Sequence, residues 1–324
     1  SSDLSIIIPI NILYHLKFNF SHKMSRTMKG GYQMKYILAK SADEALEALL
    51  AEEGKARIIA GGSDVMVDME AGKLAPQTLV DITTADDMKG IRIQDDQLII
   101  GAAVTLTEIA RSPLIRQYFP SLCKGAGSVG SLQIRNSATL VGNVVTAQPA
   151  ADAAMAVAPL DPRFVVLSKE GIRELAMGEM YAGFGKSTLN STAEVVKEIH
   201  IPLPADDEKA SFVRLELRKS LSLPMLNVAA MAKVTDGVFQ WVRITMGPVG
   251  VGPTRAFEAE EWLKGKALTP ENMAEAGRLA LHNAKPRSNP LRGSKKYREH
   301  ALPILVRRAL EGIAKQMGLL HFDN

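Results

Sequence analysis

The sequence predicts an α+β protein in two parts, and three observations carry that reading. Residues 41–82 set a capped helix before short apolar strands, the pattern of β/α architecture. After Pro202-Leu203-Pro204 and the polar run 205–209, the pattern changes to consecutive strands and then consecutive helices. Two glycine-bearing loops punctuate the first part: Ala60-Gly61-Gly62-Ser63-Asp64, and the stretch Thr139-Leu140-Val141-Gly142-Asn143.

Taken in order, Ser41-Ala42-Asp43-Glu44 is a capping box. Ser accepts from the first-turn N–H groups, and Glu reaches back. Ala45, Leu46, Leu49 and Leu50 then form a helical stripe, and Gly54 suits the position after the helix end. Residues 57–60 read as a strand entering the first glycine loop, and 79–82 as another. Residues 91–94 and 98–101 flank Asp95-Asp96 as a hairpin. Residues 105–111 and 114–118 read as helices punctuated by Pro113 and Pro120, and 124–128 as a small-residue helix. A second hairpin, 164–168 and 172–175, turns at Lys169-Glu170-Gly171, and 195–201 is a strand. Beyond the boundary, 211–217, 228–234 and 238–247 read as a three-stranded antiparallel sheet. Residues 256–263, 270–282 and 297–317 back it as helices.

The 324 residues hold ample core, with 46% apolar and 23% charged residues, ordinary for a globular protein. The net charge of +4 comes mostly from the first 33 residues, where Lys17, Lys23, Arg26 and Lys29 face only Asp3. The remainder is nearly neutral, which argues against nucleic-acid binding. The leading apolar run from Ile6 to Leu13 is too short to span a bilayer and has no basic segment before it, so no membrane or secretory role is expected. Residues 1–33 read as an N-terminal extension, disordered or non-native, with Met34 as the natural beginning. The single cysteine, Cys123, cannot form an internal disulfide or hold an iron–sulfur cluster, and the chain reads as cytoplasmic.

Two motifs are decoys. Gly125-Ala126-Gly127-Ser128-Val129-Gly130 matches G-x-G-x-x-G, but no strand-like run precedes it, so it reads as a closely packed helix. Gly185-Lys186-Ser187 lacks the upstream glycine of a phosphate-binding P-loop; Met180 stands there. None of the six histidines lies near another or near the cysteine, so no metal spacing appears.

The glycine loops themselves suggest backbone cradles. Glycine admits a ligand close to the main chain, and successive N–H groups make an anion site without Lys or Arg. Two such loops suggest a ligand with more than one phosphate, or a phosphate and a ring. Asp64 and Asp152 follow them at short range. A carboxylate there would repel a phosphate. It either pairs with a hydroxyl or ring N–H of the same ligand or serves as an N-cap or Asx turn. The basic segment 285–308 reads as a solvated or subunit-facing surface.

AGGSD at 60–64, QIRNSATLVGN at 133–143, P-x-x-D at 149–152 and RGSKKYREHALPILVRRAL at 292–310 resemble the FAD-binding medium subunit of molybdenum hydroxylases. That family covers enzymes of the xanthine dehydrogenase, nicotinate dehydrogenase and aerobic carbon monoxide dehydrogenase types. GPVGVGPTRAFEAEEWL at 247–263 is similar to their C-terminal domain. The resemblance implies a two-subdomain α/β FAD-binding domain of the vanillyl-alcohol-oxidase (PCMH-like) type over 34–204, split at about 88. It implies a flavoprotein C-terminal-like domain over 210–324.

Roles follow from the resemblance residue by residue. Arg57, Ile58, Ile59, Ala60, Gly61, Gly62, Ser63 and Asp64 would wrap the FAD pyrophosphate. Thr139, Leu140, Val141, Gly142 and Asn143 would form a second clamp, with Val141 in place of the usual first glycine. Asp152 would bind FAD from the neighbouring loop. Val129 would lie near the flavin, and Arg214 stands where many relatives carry Lys. FAD is expected to be non-covalent, since 57–65 and 129–152 hold neither His nor Cys. A large molybdopterin subunit and a small [2Fe-2S] subunit are the implied partners, in a heterotrimer or its dimer. NAD is the implied electron acceptor, and no catalytic acid, base or metal is expected from this chain. A self-sufficient flavin oxidase or reductase of the same fold, and an assembly module that has lost flavin, are the alternatives.

Overall fold

The computed structural model describes residues 23–27, 33–219, 221–290 and 292–319. The first sheet has the order β1-β2-β4-β3, from β1 (Lys23–Thr27), β2 (Gln33–Leu38), β3 (Ala56–Ile59) and β4 (Thr78–Asp81). β2, β4 and β3 run parallel, as intervening helices require, while β1 pairs antiparallel with β2. β1 lies inside the segment read as an extension. Its main chain adds an edge to the sheet, which corrects that reading for residues 23–27. Main-chain pairing of so short a segment leaves little mark on composition. Residues 1–22 and 28–32 lie outside the described residues.

Helix α1 (Ala42–Ala51) links β2 to β3, and α2 (Val65–Glu70) follows the first glycine loop. Ser41 caps α1 by accepting from the Glu44 N–H, and Glu44 reaches back to the Lys40 N–H at 2.8 Å. Gly54 takes φ +88 just beyond the helix, the left-handed conformation that lets the chain turn into β3.

The second sheet is antiparallel, ordered β5-β6-β11-β7-β8. It comprises β5 (Ile91–Gln94), β6 (Gln97–Gly101), β7 (Arg163–Ser168), β8 (Gly171–Ala176) and β11 (Val195–Pro202). Asp95 and Asp96 both take positive φ and close the first hairpin. Between β6 and β7 run six short helices: α3 (Leu106–Arg111), α4 (Pro113–Tyr118), α5 (Pro120–Gly127), α6 (Leu132–Arg135), α7 (Leu140–Val145) and α8 (Asp152–Val157). The G-x-G-x-x-G decoy falls on α5. A Cβ on Gly125 would collide with Ala156 of α8, so this glycine serves helix–helix approach. β9 (Tyr181–Gly183) and β10 (Lys186–Ser187) form a small hairpin that absorbs the second decoy, with Gly185 at φ +64.

The third sheet consists of β12 (Glu208–Leu215), β13 (Leu226–Thr235) and β14 (Val238–Gly247). These are the three antiparallel strands expected, with a two-residue edge, β15 (Thr254–Arg255), added against β14. Helices α9 (Phe257–Leu263), α10 (Pro270–Leu279) and α11 (Lys295–Gln316) cover one face. The other face joins the first part: Ala210, Phe212, Ala229 and Met231 bury into the same apolar cluster as α5 and α8. The two parts therefore share a packed interface.

Candidate cofactor site

The first loop leaves β3 at Ala60 and enters α2 at Val65. Gly62 takes φ +68. Gly61 has a different reason to be glycine: a Cβ there would overlap the Ser137 carbonyl group and lie 2.6 Å from the Ala138 nitrogen. The two glycine loops thus touch main chain to main chain. Asp64 stands at the start of α2, and its side chain caps nothing there. Its carboxylate lies against Ser63 and within reach of Thr146 beyond α7, a second point where the loops meet. Among the described residues, the N–H groups of Gly61, Gly62, Ser63 and Asp64 have no acceptor in the protein.

Residues 139–143 read from the sequence as a glycine-bearing loop, and the structure corrects this: they open α7. Thr139 is the N-cap, and its Oγ1 accepts from the Gly142 N–H at 3.0 Å. A helix start leaves its first N–H groups without internal partners; the Leu140 N–H is taken up by the bridge that pairs Thr139 with Thr105, while the Val141 N–H stays open. Val141 is buried in the core with ordinary helical geometry, so Val is accommodated here without strain. Gly142 also has an ordinary backbone, and a Cβ on it would meet only Thr139 Oγ1, at 3.1 Å. The Asn143 carbonyl oxygen accepts from the Ala154 N–H at 3.0 Å and so caps α8 from a distance. Ala138 accepts from the Leu106 N–H, and Arg135 closes the loop holding Val129 through bonds to the Val129 and Gly130 carbonyls.

Asp152 begins α8 and is 4% exposed. Its carboxylate accepts from Asn227 Nδ2 at 2.8 Å, and Arg214 Nε lies 3.1 Å from its other oxygen. Arg214 also faces Glu216 at 3.1 Å and donates to the Ser222 carbonyl. Asp152 and Arg214, expected as separate cofactor contacts, therefore face each other across the domain interface. Burial pushes Asp152 up to about 7; Arg214 and Asn227 pull it down, while Glu216 pushes it up. Arg214 Nε, Glu216 Oε2 and Asn227 Oδ1 are buried without a hydrogen-bond partner. Arg214 Nε and Glu216 Oε2 are held by the ion pairs alone, so the cluster is electrostatically paired rather than fully hydrogen-bonded.

Arg57, Ile58 and Ile59 are strand residues of β3, not loop residues, because their register with β4 continues to Ile59. Arg57 donates to the Ala56 carbonyl and lines a groove of about 250 Å³ with Lys55, Lys73 and Gln77, at the end of β3 away from Gly61. Asn227 escaped notice in the sequence, although a lone amide in the apolar run Leu226–Ala232 was its signal.

His200 bonds Glu198 and His282 bonds Glu258, while His15, His22 and His321 lie outside the described residues. Cys123 is buried and donates to the Ile109 carbonyl. Among the described residues, no group of three His, Cys, Asp or Glu could hold a metal, and no helix is long and apolar enough to cross a membrane.

Residues 32–204 match the family model for the FAD binding domain in molybdopterin dehydrogenase, and residues 211–313 match the CO dehydrogenase flavoprotein C-terminal domain. The chain belongs to the family of FAD-binding subunits of molybdenum hydroxylases. It is 32% identical over 263 residues to the nicotinate dehydrogenase FAD-subunit of Eubacterium barkeri, covering 80% of this chain and 88% of that protein. It is 27% identical over 275 residues to a putative xanthine dehydrogenase FAD-binding subunit of Escherichia coli, covering 84% and 94%. Among solved structures, the fold matches carbon monoxide dehydrogenase of Hydrogenophaga pseudoflava, in a form lacking the Mo-pyranopterin moiety. The TM-score is 0.82 at 26% identity, covering 87% of this chain and 97% of that one. Quinoline 2-oxidoreductase of Pseudomonas putida 86 matches with a TM-score of 0.80, covering 88% and 98%. The subunit is thus an oxidoreductase component of xanthine dehydrogenase-like type, with FAD as its cofactor. The residues fit that group. The joined loops offer the open amides of Gly61 to Asp64 to a diphosphate.

Proposed function

We propose that this chain holds one FAD across the two joined glycine loops and serves as the electron-transfer subunit of a molybdopterin-containing hydroxylase. In this reading it takes electrons from [2Fe-2S] clusters on a small partner and passes them to NAD or another acceptor, while a large partner carries the molybdopterin. The division into 34–204 and 210–324 is part of the same reading. The observation that supports it most is the backbone contact of Gly61 with Ser137, which sets the open N–H donors of the first loop beside the start of α7.

The residues divide the task as follows. The amides of Gly61 to Asp64 and of Val141 bind the diphosphate without placing a lysine or arginine on it. Gly142 leaves room for close approach of the ligand, and Thr139 holds the first turn of α7 rigid. Asp152 orients a ring N–H or hydroxyl, with Arg214 and Asn227 behind it. Val129 supplies an apolar wall, and Asn143 ties the clamp to α8. Bound FAD supplies redox chemistry in one- and two-electron steps. The substrate of the assembly would be oxidised on the large partner, so this chain needs no substrate acid or base.

Anaerobic addition of NADH to the FAD-loaded chain tests the acceptor. Bleaching of the flavin absorbance supports NAD, and an unchanged spectrum excludes it. Co-purification of a molybdopterin chain and a [2Fe-2S] chain with this one from its native source tests the assembly.

A further inference from the structure

Asn227 lies on β13, in the second domain, and is fully buried. Its register partner on β14 is Gly247. A Cβ on Gly247 would lie 2.7 Å from Asn227 Oδ1 and 2.9 Å from the Pro149 carbonyl oxygen, and would collide with Met155. Glycine there opens the slot in which the Asn227 amide reaches α8. A carboxylate can only accept, so the Asn227 NH₂ must face Asp152. Arg214 Nε is close to Asp152 but out of line for a hydrogen bond. The Asn227 bond, at 2.8 Å, is therefore the directional side-chain contact that sets the carboxylate plane.

We propose that Asn227 is a positioning residue for the cofactor site: from the second domain it orients the Asp152 carboxylate and keeps it ionised for contact with FAD. This rests on the FAD reading above and extends it to a residue of the other domain. The charged groups facing Asp152 are Arg214 of β12 and Glu216, just beyond the end of that strand. From β13 comes the uncharged Asn227, and from α7 the Asn143 amide bonds the α8 backbone at Ala154 rather than the carboxylate. One cation thus faces two acids, and burial pushes the Asp152 carboxyl up. Removing the amide donor takes away a hydrogen bond to the charged form and so favours the protonated acid further.

The test is the dissociation constant of FAD as a function of pH, measured by flavin fluorescence on the whole chain. Wild type, Asn227→Leu, Asn227→Asp and Asp152→Asn are compared; Asp matches the volume of Asn, and Leu keeps its branching but is larger. Wild-type affinity should break near neutrality as Asp152 titrates, and Asp152→Asn should erase the break. Asn227→Leu should move it upward by about one pH unit, weakening FAD about tenfold on the acid side. Asn227→Asp should move it further, because a second carboxyl faces the first. If one variant fails to fold, the other carries the comparison. An unmoved break, uniform weakening at all pH values, or a flat wild-type profile would overturn the inference while leaving FAD binding intact. A wild-type chain that binds no FAD would instead overturn the cofactor reading itself.

Discussion

The main chain at Gly61 lies directly against the main chain at Ser137, with no room for a side chain between them. Loops separated by more than seventy residues are joined at this point. Gly61→Ala should push them apart, because neither backbone can step aside cheaply. The expected cost is about 1–3 kcal/mol, with most bound FAD lost. Urea unfolding and the flavin-to-protein ratio measure the two effects; an unchanged ratio would mean that the contact does not shape the site.

Gly142 makes a contrasting case. It sits in α7 with an ordinary helical backbone, so replacement strains no dihedral. Gly142→Ala should keep or raise stability, by up to about 1 kcal/mol from helix propensity. It should still weaken FAD, because the methyl group occupies the open face beside Thr139. Gly142→Val should weaken FAD further. Thermal melting beside FAD titration separates these effects, and full affinity in Gly142→Val would remove α7 from the clamp.

Asp152 makes stability of the FAD-free chain depend on pH. Its folded carboxyl is raised to about 7, against about 3.9 in an unfolded chain. The folded state therefore holds the extra proton between these values. Its stabilising contribution is complete below about pH 4 and is lost as pH rises through about 7. The loss is at most about 4 kcal/mol, from three pH units at about 1.4 kcal/mol each. Asp152→Asn should flatten this slope. Urea midpoints across pH 4 to 8 measure it, and parallel profiles for the two proteins would contradict the assignment.

Arg298, in the first turn of α11, is 4% exposed and donates to the carbonyls of Arg287 and Pro248. Neither partner is charged, so it clips two loops together rather than forming an ion pair. Arg298→Ala should leave both carbonyls unmet and cost about 2–5 kcal/mol. Arg298→Lys should recover only part, since an ammonium cannot span both oxygens as the guanidinium fork does. Denaturant titration of the two variants measures this.

Much of the fold was legible because its signals are local. The Ser41 cap of α1, the Asp95-Asp96 hairpin and the three long strands β12 to β14 rest on neighbouring residues and stand close to where expected, although Glu44 reaches Lys40 rather than Ser41 and so leaves the capping box half made. The loop at Gly61 was legible as a glycine loop, but its reason was not: Ser137 is remote in sequence, and close approach leaves no pattern. The α7 start was misread as a loop because a Thr followed three residues on by Gly suits either. Asp152 and Arg214 were each singled out, but that they face each other depends on how β12 packs on α8. β1 was missed because an edge strand recruited by main-chain bonds alone needs no apolar run.

The account depends on two backbone cradles gripping one flavin nucleotide. FAD titration of the purified chain, followed by acid precipitation, tests this most directly. One FAD per wild-type chain is expected, released into the supernatant by acid, with Gly61→Ala retaining little before precipitation. A folded wild-type chain that takes up no FAD, or a flavin that stays with the acid-precipitated protein, would contradict it.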